Sequence, residues 1–92
     1  MSLAMARYFR NRRAREWKAI AKAHGFKIIN KNDGDDEVWG KDSKIGIIIL
    51  IPSRDNEEII LPTALSMVRK FEQLGTSRKE ILSWWKENGY GE

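Results

Sequence analysis

The 92-residue sequence predicts one α+β domain, in which a three-stranded antiparallel sheet carries helices packed on one face. The predicted element order is α-β-β-β-α-α. Three observations support it: the apolar run IGIIILI at residues 45–51, the hairpin signal Asp33-Gly34, and segments with helical spacing at both ends of the chain. The short connections between the predicted strands favour an antiparallel meander.

The apolar run at residues 45–51 is the predicted central strand. Five of its seven residues are isoleucine, and β-branched side chains suit a pleated sheet better than a helix. Alternation divides the run between two faces, one with Ile45, Ile47, Ile49 and Ile51, and the other with Ile48 and Leu50. Both faces are apolar, so we expect helices to cover one and a partner to cover the other.

Two shorter segments complete the predicted sheet. They are residues 26–31 (FKIINK) and residues 35–41 (DDEVWGK). The turn at residues 32–34 (NDG) joins them, because Asp-Gly suits a tight hairpin that needs positive φ. A second turn at residues 41–44 (KDSK) precedes the apolar strand.

The first helix precedes the sheet. Its apolar stripe has helical spacing and consists of Ala14, Trp17, Ile20, Ala21 and His24. Gly25 ends the helix, which begins either near Ala4 or after Asn11, an acceptable N-cap. In the second case residues 1–12 form a basic N-terminal extension. A structural role suits the single histidine, His24, better than a catalytic one, because no catalytic partner stands beside it.

Two helices follow the sheet. The first is predicted over residues 62–74, with Pro62 in its first turn. Ser77 and Glu80 match a capping box, which predicts an additional C-terminal helix within residues 77–92.

Aromatic residues offer a second kind of contact. Trp39, Trp84 and Trp85 could stack on bases, although tryptophans in a small domain commonly belong to the core or to an interface. Successive helical residues are turned by about 100°, so only one of Trp84 and Trp85 can face the core. The other is available to a partner.

Basic residues are concentrated in the first 27 positions, where Glu16 is the only acidic residue. The candidate nucleic-acid-binding residues are Arg7, Arg10, Arg12, Arg13, Arg15, Lys18, Lys22 and Lys27. This clustering indicates a polyanionic partner, and the alternative is a solvated helix face.

Several chemistries are excluded or disfavoured. The absence of cysteine removes disulfides, thiolates and Cys-based zinc sites, and one histidine cannot form a His-based zinc site. The glycines do not form a phosphate-binding loop. The acidic residues around Asp33 could hold Mg²⁺ or Ca²⁺, but their spacing matches no calcium loop, and a solvated acidic turn is the preferred interpretation. We therefore expect no metal and no cofactor.

No apolar run is long enough to span a membrane, and the N-terminus lacks the apolar segment of a secretory signal. The lack of cysteine suits a reducing compartment, so a cytoplasmic location is expected.

Several short motifs resemble the HicA family, the small toxins of bacterial toxin–antitoxin pairs. They are residues 23–26 (AHGF), residues 34–39 (GDDEVW), residues 49–52 (ILIP) and the segments 62–63 and 74–77 that bound the second helix. The resemblance runs from about Arg13 to Leu82. It implies a double-stranded-RNA-binding-domain-like fold, RNA as the partner, and an antitoxin as a protein partner.

The resemblance also implies a site at the hairpin motif, with Gly34, Asp35 and Trp39. HicA toxins cleave mRNA with a histidine in this motif and without a metal, and Asp36 stands in that place here. A histidine can give and take a proton near neutral pH, whereas an ionised carboxylate only accepts one and repels a phosphate. Asp36 is thus the candidate catalytic residue of an endoribonuclease whose activity is doubtful.

Three hypotheses follow from the sequence. The first is an RNA-directed domain that is or was an endoribonuclease, and the second is a non-catalytic nucleic-acid binder. The third is a protein-interaction module that docks through the exposed sheet face and through Trp84 or Trp85, with another protein or a second copy of the chain as partner. Binding of nucleic acid ranks first, the interaction module second and the active nuclease third.

Overall fold

The computed structural model describes residues 7–31, 35–41 and 44–90. A short 3₁₀ turn, Arg7–Phe9, precedes helix α1 (Ala14–Ala23), and strands β1 (Lys27–Lys31), β2 (Asp36–Lys41) and β3 (Lys44–Pro52) follow. Helices α2 (Leu61–Gln73) and α3 (Arg78–Glu87) complete the fold. The predicted α+β class and the order of the elements are confirmed. The two predicted turn tips, at residues 32–34 and 42–43, lie outside the described residues.

The three strands form one antiparallel sheet in the order β1-β2-β3. Trp39 on β2 lies opposite Ile28 of β1 and Ile49 of β3. The prediction that the most apolar strand is central was therefore wrong, because a meander of three strands puts its last strand at an edge. The central strand is β2, and one edge of β3 has no neighbouring strand within the described sheet.

The two faces of the sheet differ in cover. Trp39, Ile49 and Ile51 are buried in one core with residues of all three helices. On the other face Ile48 is 39% exposed and Leu50 is 47% exposed. The expected division of the isoleucines is confirmed for the described side chains of β3, but no part of the described chain covers the second face.

Helix α1 begins at Ala14, with Arg13 as its N-cap. Asn11 is not the cap, because it has a positive φ of 58° two residues earlier. The Glu16 carboxylate accepts a hydrogen bond from the Arg13 backbone N–H at 3.1 Å, which satisfies one of the free donors of the first turn. Residues 7–12 are therefore not part of α1, and they are not a detached arm either, since Phe9 among them is fully buried.

The helices after the sheet follow the sequence signals. Pro62 lies in the first turn of α2, where its missing N–H costs nothing. Ser77 and Glu80 form the predicted capping box, with the Ser77 hydroxyl accepting from the Glu80 N–H at 3.2 Å. The same Glu80 accepts from the Ser77 N–H at 3.1 Å.

Aromatic side chains join the two ends of the chain in the core. The rings of Trp17 and Trp85 meet edge to face, with their centres 4.9 Å apart, and Phe9 packs beside both. The Trp85 indole N–H donates to the Glu16 carbonyl at 2.9 Å. Trp85 is thus the buried member of the tryptophan pair, and Trp84 is half-buried and stacks on Tyr90.

Candidate nucleic-acid interface

Arg12 lies in the interior although it was predicted to bind nucleic acid. It is 7% exposed, and its guanidinium lies 4.1 Å from the centre of the Trp85 ring. It donates to the Glu16 carboxylate at 2.7 Å, to the Tyr90 carbonyl at 2.7 Å and to the Tyr8 carbonyl at 3.2 Å. A guanidinium held in this way stabilises the fold. Arg12 is therefore no longer a candidate ligand for a phosphate.

Lys18 is also engaged within the protein. Its side chain is 12% exposed, and its ammonium group lies 2.8 Å from Asp55 and 3.3 Å from Glu37. It also donates to the Ser53 carbonyl at 2.9 Å. The hydrogen bond and the charge of Lys18 lower the pKa of Asp55. Two carboxylates neutralise this lysine, so it contributes little to the attraction of a polyanion.

Arg13 and Arg15 hold the loop at residues 53–58 against the start of α1. The guanidinium of Arg13 donates to the Asn56 carbonyl at 2.7 Å, and that of Arg15 donates to the Asn56 side-chain oxygen at 2.9 Å. A backbone hydrogen bond reinforces the contact, because the Arg15 N–H donates to the Asp55 carbonyl at 3.0 Å. Both arginines are exposed, and since a guanidinium has five N–H donors, each retains donors for a phosphate.

Lys22 is exposed one turn after Lys18 on α1. Its charge, like that of Arg15, acts on Asp55 and lowers the pKa of that carboxyl further. Lys22 therefore shares a surface with the arginines of the loop contact. We call Arg13, Arg15 and Lys22 the loop-side cations. Glu57 and Glu58 are exposed in the neighbouring loop and reduce the net charge of this region.

The remaining predicted cations are exposed at other positions. Arg10 follows the 3₁₀ turn, and Lys27 begins β1. Arg7 donates to the Tyr8 hydroxyl at 3.0 Å and lies over the Tyr8 ring. The structure thus divides the eight predicted residues into a buried arginine, a neutralised lysine, the three loop-side cations and three outlying cations.

The candidate catalytic residue Asp36 is not brought to the loop-side cations. It begins β2, opposite Pro52, and is half-buried. The next residue, Glu37, points to the helical side of the sheet, where it meets Lys18. Because successive strand residues point to opposite faces, Asp36 belongs to the face away from α1.

The rest of the hairpin motif has structural contacts. The Asp35 carbonyl accepts from the Ser53 N–H at 2.9 Å, and the Trp39 indole N–H donates to Glu37 at 3.2 Å. Trp39 is buried and cannot stack on a base. Gly34 lies outside the described residues.

His24 occupies the position of a structural histidine. Its Nδ1 lies 3.2 Å from the Ile20 carbonyl, one turn earlier in α1. Its Nε2 lies 3.9 Å from the Glu80 carboxylate.

Neither a metal cluster nor a membrane helix is found in the described ranges. No three histidine or acidic residues among them gather as metal ligands, and Asp33 and Asp42 of the predicted acidic region fall outside these ranges. In the same ranges no helix has the length and apolar character needed to cross a bilayer.

The sequence predicted only part of the apolar surface on the far side of the sheet. Ile29 of β1 is 61% exposed, and its side chain lies over Gly40 on the face opposite Trp39, the face that also carries Ile48 and Leu50. We call Ile29, Ile48 and Leu50 the outer sheet surface. A groove of about 310 Å³ lies beside it, between β3 and α2. The alternation of the apolar strand was a signal for the surface, but the groove depends on where α2 lies in space.

Comparison of the chain with protein-family models, with curated proteins and with solved structures gave no match. The resemblance to HicA therefore rests on the short motifs in the sequence alone.

Proposed function

We propose that this protein is a small RNA-binding domain without catalytic activity. The observation that carries the proposal is the exposure of the loop-side cations Arg13, Arg15 and Lys22 on one surface at α1. Exposed guanidinium and ammonium groups along one helix and at its N-cap suit the repeating phosphates of a nucleic acid. The resemblance to HicA favours RNA over DNA, and a cytoplasmic location belongs to the same proposal.

The binding is expected to be weak and sensitive to salt. Each phosphate that is neutralised releases counterions, so three contacts to single-stranded RNA give a slope of about −2 in log K against log salt concentration. The glutamates of the adjacent loop lower the local potential and make the affinity lower than the basic composition suggests.

The proposed lack of catalysis is supported by the position of Asp36 in the hairpin motif. Cleavage of RNA needs an acid and a base near the same phosphate. Asp36 supplies a carboxylate on the face of the sheet opposite α1, where its charge would repel the phosphate.

The proposal is tested by fluorescence anisotropy with a labelled single-stranded RNA and a labelled double-stranded RNA. The triple variant R13Q/R15Q/K22Q should bind at least about tenfold more weakly than the wild type, with a smaller salt slope. The matched control R69Q/K79Q/K86Q removes the same charge from exposed positions on α2 and α3 and should bind nearly as well. Circular dichroism must show that both variants are folded.

Two results would overturn the proposal. The first is that neither RNA binds to the wild type at low salt. The other is an equal loss of affinity in the two triple variants, which would mean that net charge alone causes the attraction.

A second candidate function is supported by the outer sheet surface. Three large aliphatic side chains are exposed there, and an apolar area of this kind in a soluble domain favours a protein partner. Trp85 cannot contribute to docking because it is buried, and Trp84 is stacked on Tyr90. Docking by this route therefore concerns the sheet rather than the tryptophans.

A further inference from the structure

The groove between β3 and α2 has two chemically different walls. Residues 48–50 of β3 line one side. Thr63, Ser66, Met67 and Lys70, which are spaced as one stripe along α2, line the other. Met67 is buried at its base, while the other three side chains of the stripe are exposed. The groove is thus apolar at its base, with hydroxyl groups and one cation on the helical wall.

The edge of β3 presents backbone groups to this groove. The Ser53 N–H donates to the Asp35 carbonyl, which shows on which side of the strand β2 lies. In an antiparallel pair the N–H and C=O of one residue point to the same side, and the side alternates along the strand. Counting back from Ser53, the backbone groups of Ile51 and Ile49 also point towards β2, whereas the backbone groups of Leu50 and Ile48 point outward, away from β2.

The outward groups find no partner in another element of the described chain. The backbone hydrogen bonds that join strands to loops or helices there do not include Ile48 or Leu50. Pro52, the next outward position, has no N–H and ends the free edge. Two donors and two acceptors, spaced at strand intervals, are left for a chain that runs alongside.

We propose that this groove binds an extended peptide segment of a partner protein, which adds to the sheet as a fourth strand beside β3. Its backbone pairs with the N–H and C=O groups of Ile48 and Leu50. Its alternate side chains are apolar on the face that carries the outer sheet surface, and an acidic side chain on the opposite face lies near Lys70. Backbone pairing supplies affinity in this mode of recognition, and the flanking side chains supply specificity.

The walls of the groove favour this occupant over a second copy of the chain. A second copy that paired through the same edge would bring its own α2 to the same side of the joined sheet. The stripe it would meet carries Thr63, Ser66 and Lys70, and homodimer interfaces are instead rich in apolar side chains. A single strand leaves the hydroxyl groups solvated and meets Lys70 with a carboxylate.

This inference builds on the second candidate function and does not depend on binding of RNA. The residues of the groove belong to β3 and α2, whereas the loop-side cations belong to α1 and the residue that caps it. Each activity can therefore be lost without the other.

The test uses a fluorescein-labelled nine-residue peptide in which valine alternates with threonine and glutamate. Binding is measured by anisotropy with the full-length protein, and amide exchange is followed by NMR. Amides of Ile49 and Ile51 should be protected with and without peptide. Exchange at Ile48 and Leu50 should slow about tenfold or more when the peptide saturates the protein.

Two variants and their controls locate the peptide. Ser66→Trp fills the groove from an exposed helical position and should abolish binding of the peptide while RNA binding is unchanged. Lys70→Glu should lower the affinity for the peptide about fivefold, because an exposed ion pair is lost and a repulsion between two carboxylates is added. Lys79→Glu makes the same charge change on α3 and should have no effect. The same peptide with proline at two alternate positions should not bind.

Three results would overturn the proposal. The first is unchanged exchange at Ile48 and Leu50 at a saturating peptide concentration. The second is equal binding of the proline-containing peptide. The third is protection of both amides without peptide, rising with protein concentration together with a dimer in sedimentation velocity, which would identify a second copy as the occupant.

Discussion

The Arg12 guanidinium lies over the Trp85 indole, 4.1 Å from the ring centre, and thereby joins the segment before α1 to the last helix. The same guanidinium binds Glu16 of α1 and the Tyr90 carbonyl near the end of the described chain. A residue that the sequence assigned to a polyanion is thus a connection between the two ends of the fold.

Arg12→Ala should lower the free energy of unfolding by about 3 kcal/mol, because it leaves Glu16 and the Tyr90 carbonyl without their cationic partner in a largely buried place. Urea unfolding measures the loss. Arg10→Ala, at an exposed position two residues earlier, is the matched control and should change stability by less than about 0.5 kcal/mol. Equal effects of the two substitutions would contradict a structural role for Arg12.

The adjacent tryptophans should differ sharply in their effect on stability. Trp85→Ala removes a fully buried ring and should cost about 4 kcal/mol, whereas Trp84→Ala removes a half-buried ring and should cost about 1 kcal/mol. Chemical denaturation of the two variants measures both values. A larger loss for Trp84→Ala would mean that α3 is turned differently about its axis.

The ion pair between Lys18 and Asp55 should make stability depend on pH. The hydrogen bond and charge of Lys18 hold the pKa of Asp55 below its usual value of 3.8. A carboxyl group whose pKa is lower in the folded protein stabilises the fold above its unfolded pKa, and this contribution disappears as the pH falls through its folded pKa. The free energy of unfolding of the wild type should therefore decrease as the pH is lowered from about 5. That of Asp55→Asn should decrease less over the same pH interval.

Urea titrations at a series of acidic pH values test this dependence. Glu80 should contribute in the same direction in both proteins, because the Ser77 backbone and hydroxyl groups lower its pKa. Glu57→Gln, in the same loop as Asp55, is the control and should follow the wild type. If Asp55→Asn loses as much stability as the wild type, the pair with Lys18 has no role in acid unfolding.

RNA should remain uncleaved after incubation with the wild type, and Asp36→Ala should therefore give the same result. Asp36→His should also fail to produce cleavage, since the side chain at this position lies on the face away from the loop-side cations. Gel analysis of RNA after long incubation with each protein measures the outcome. Cleavage by the wild type that disappears in Asp36→Ala would restore the nuclease hypothesis, and cleavage by Asp36→His would show that the family chemistry can operate at this position.

The local signals of the sequence predicted their elements well. The capping pair Ser77 and Glu80 predicted the start of α3, and Pro62 predicted the first turn of α2. These signals succeed because a cap or a proline acts on backbone groups only a few residues away. The start of α1 was left open because the competing signals near Asn11 depend on the loop at residues 53–58, which is distant in the sequence.

The candidate site was predicted less well, for the same reason. A sequence shows which residues are charged but not which residues pair with them. Lys18 is paired with Asp55, which lies 37 positions later, and is therefore a poor candidate for binding a phosphate. The composition of the apolar strand predicts burial on both faces and therefore a central position in the sheet. Its exposed face and its free edge became visible only with the order of the strands.

The sequence by itself determined the α+β class, the order of the elements and the division of β3 into two faces, because these follow from periodicity and turn chemistry within short segments. Only the tertiary structure decided which cations are exposed, which tryptophan is buried, and that β3 and α2 line a groove between them. Those outcomes depend on contacts between residues far apart in the chain, and such contacts leave no local pattern from which they could be predicted.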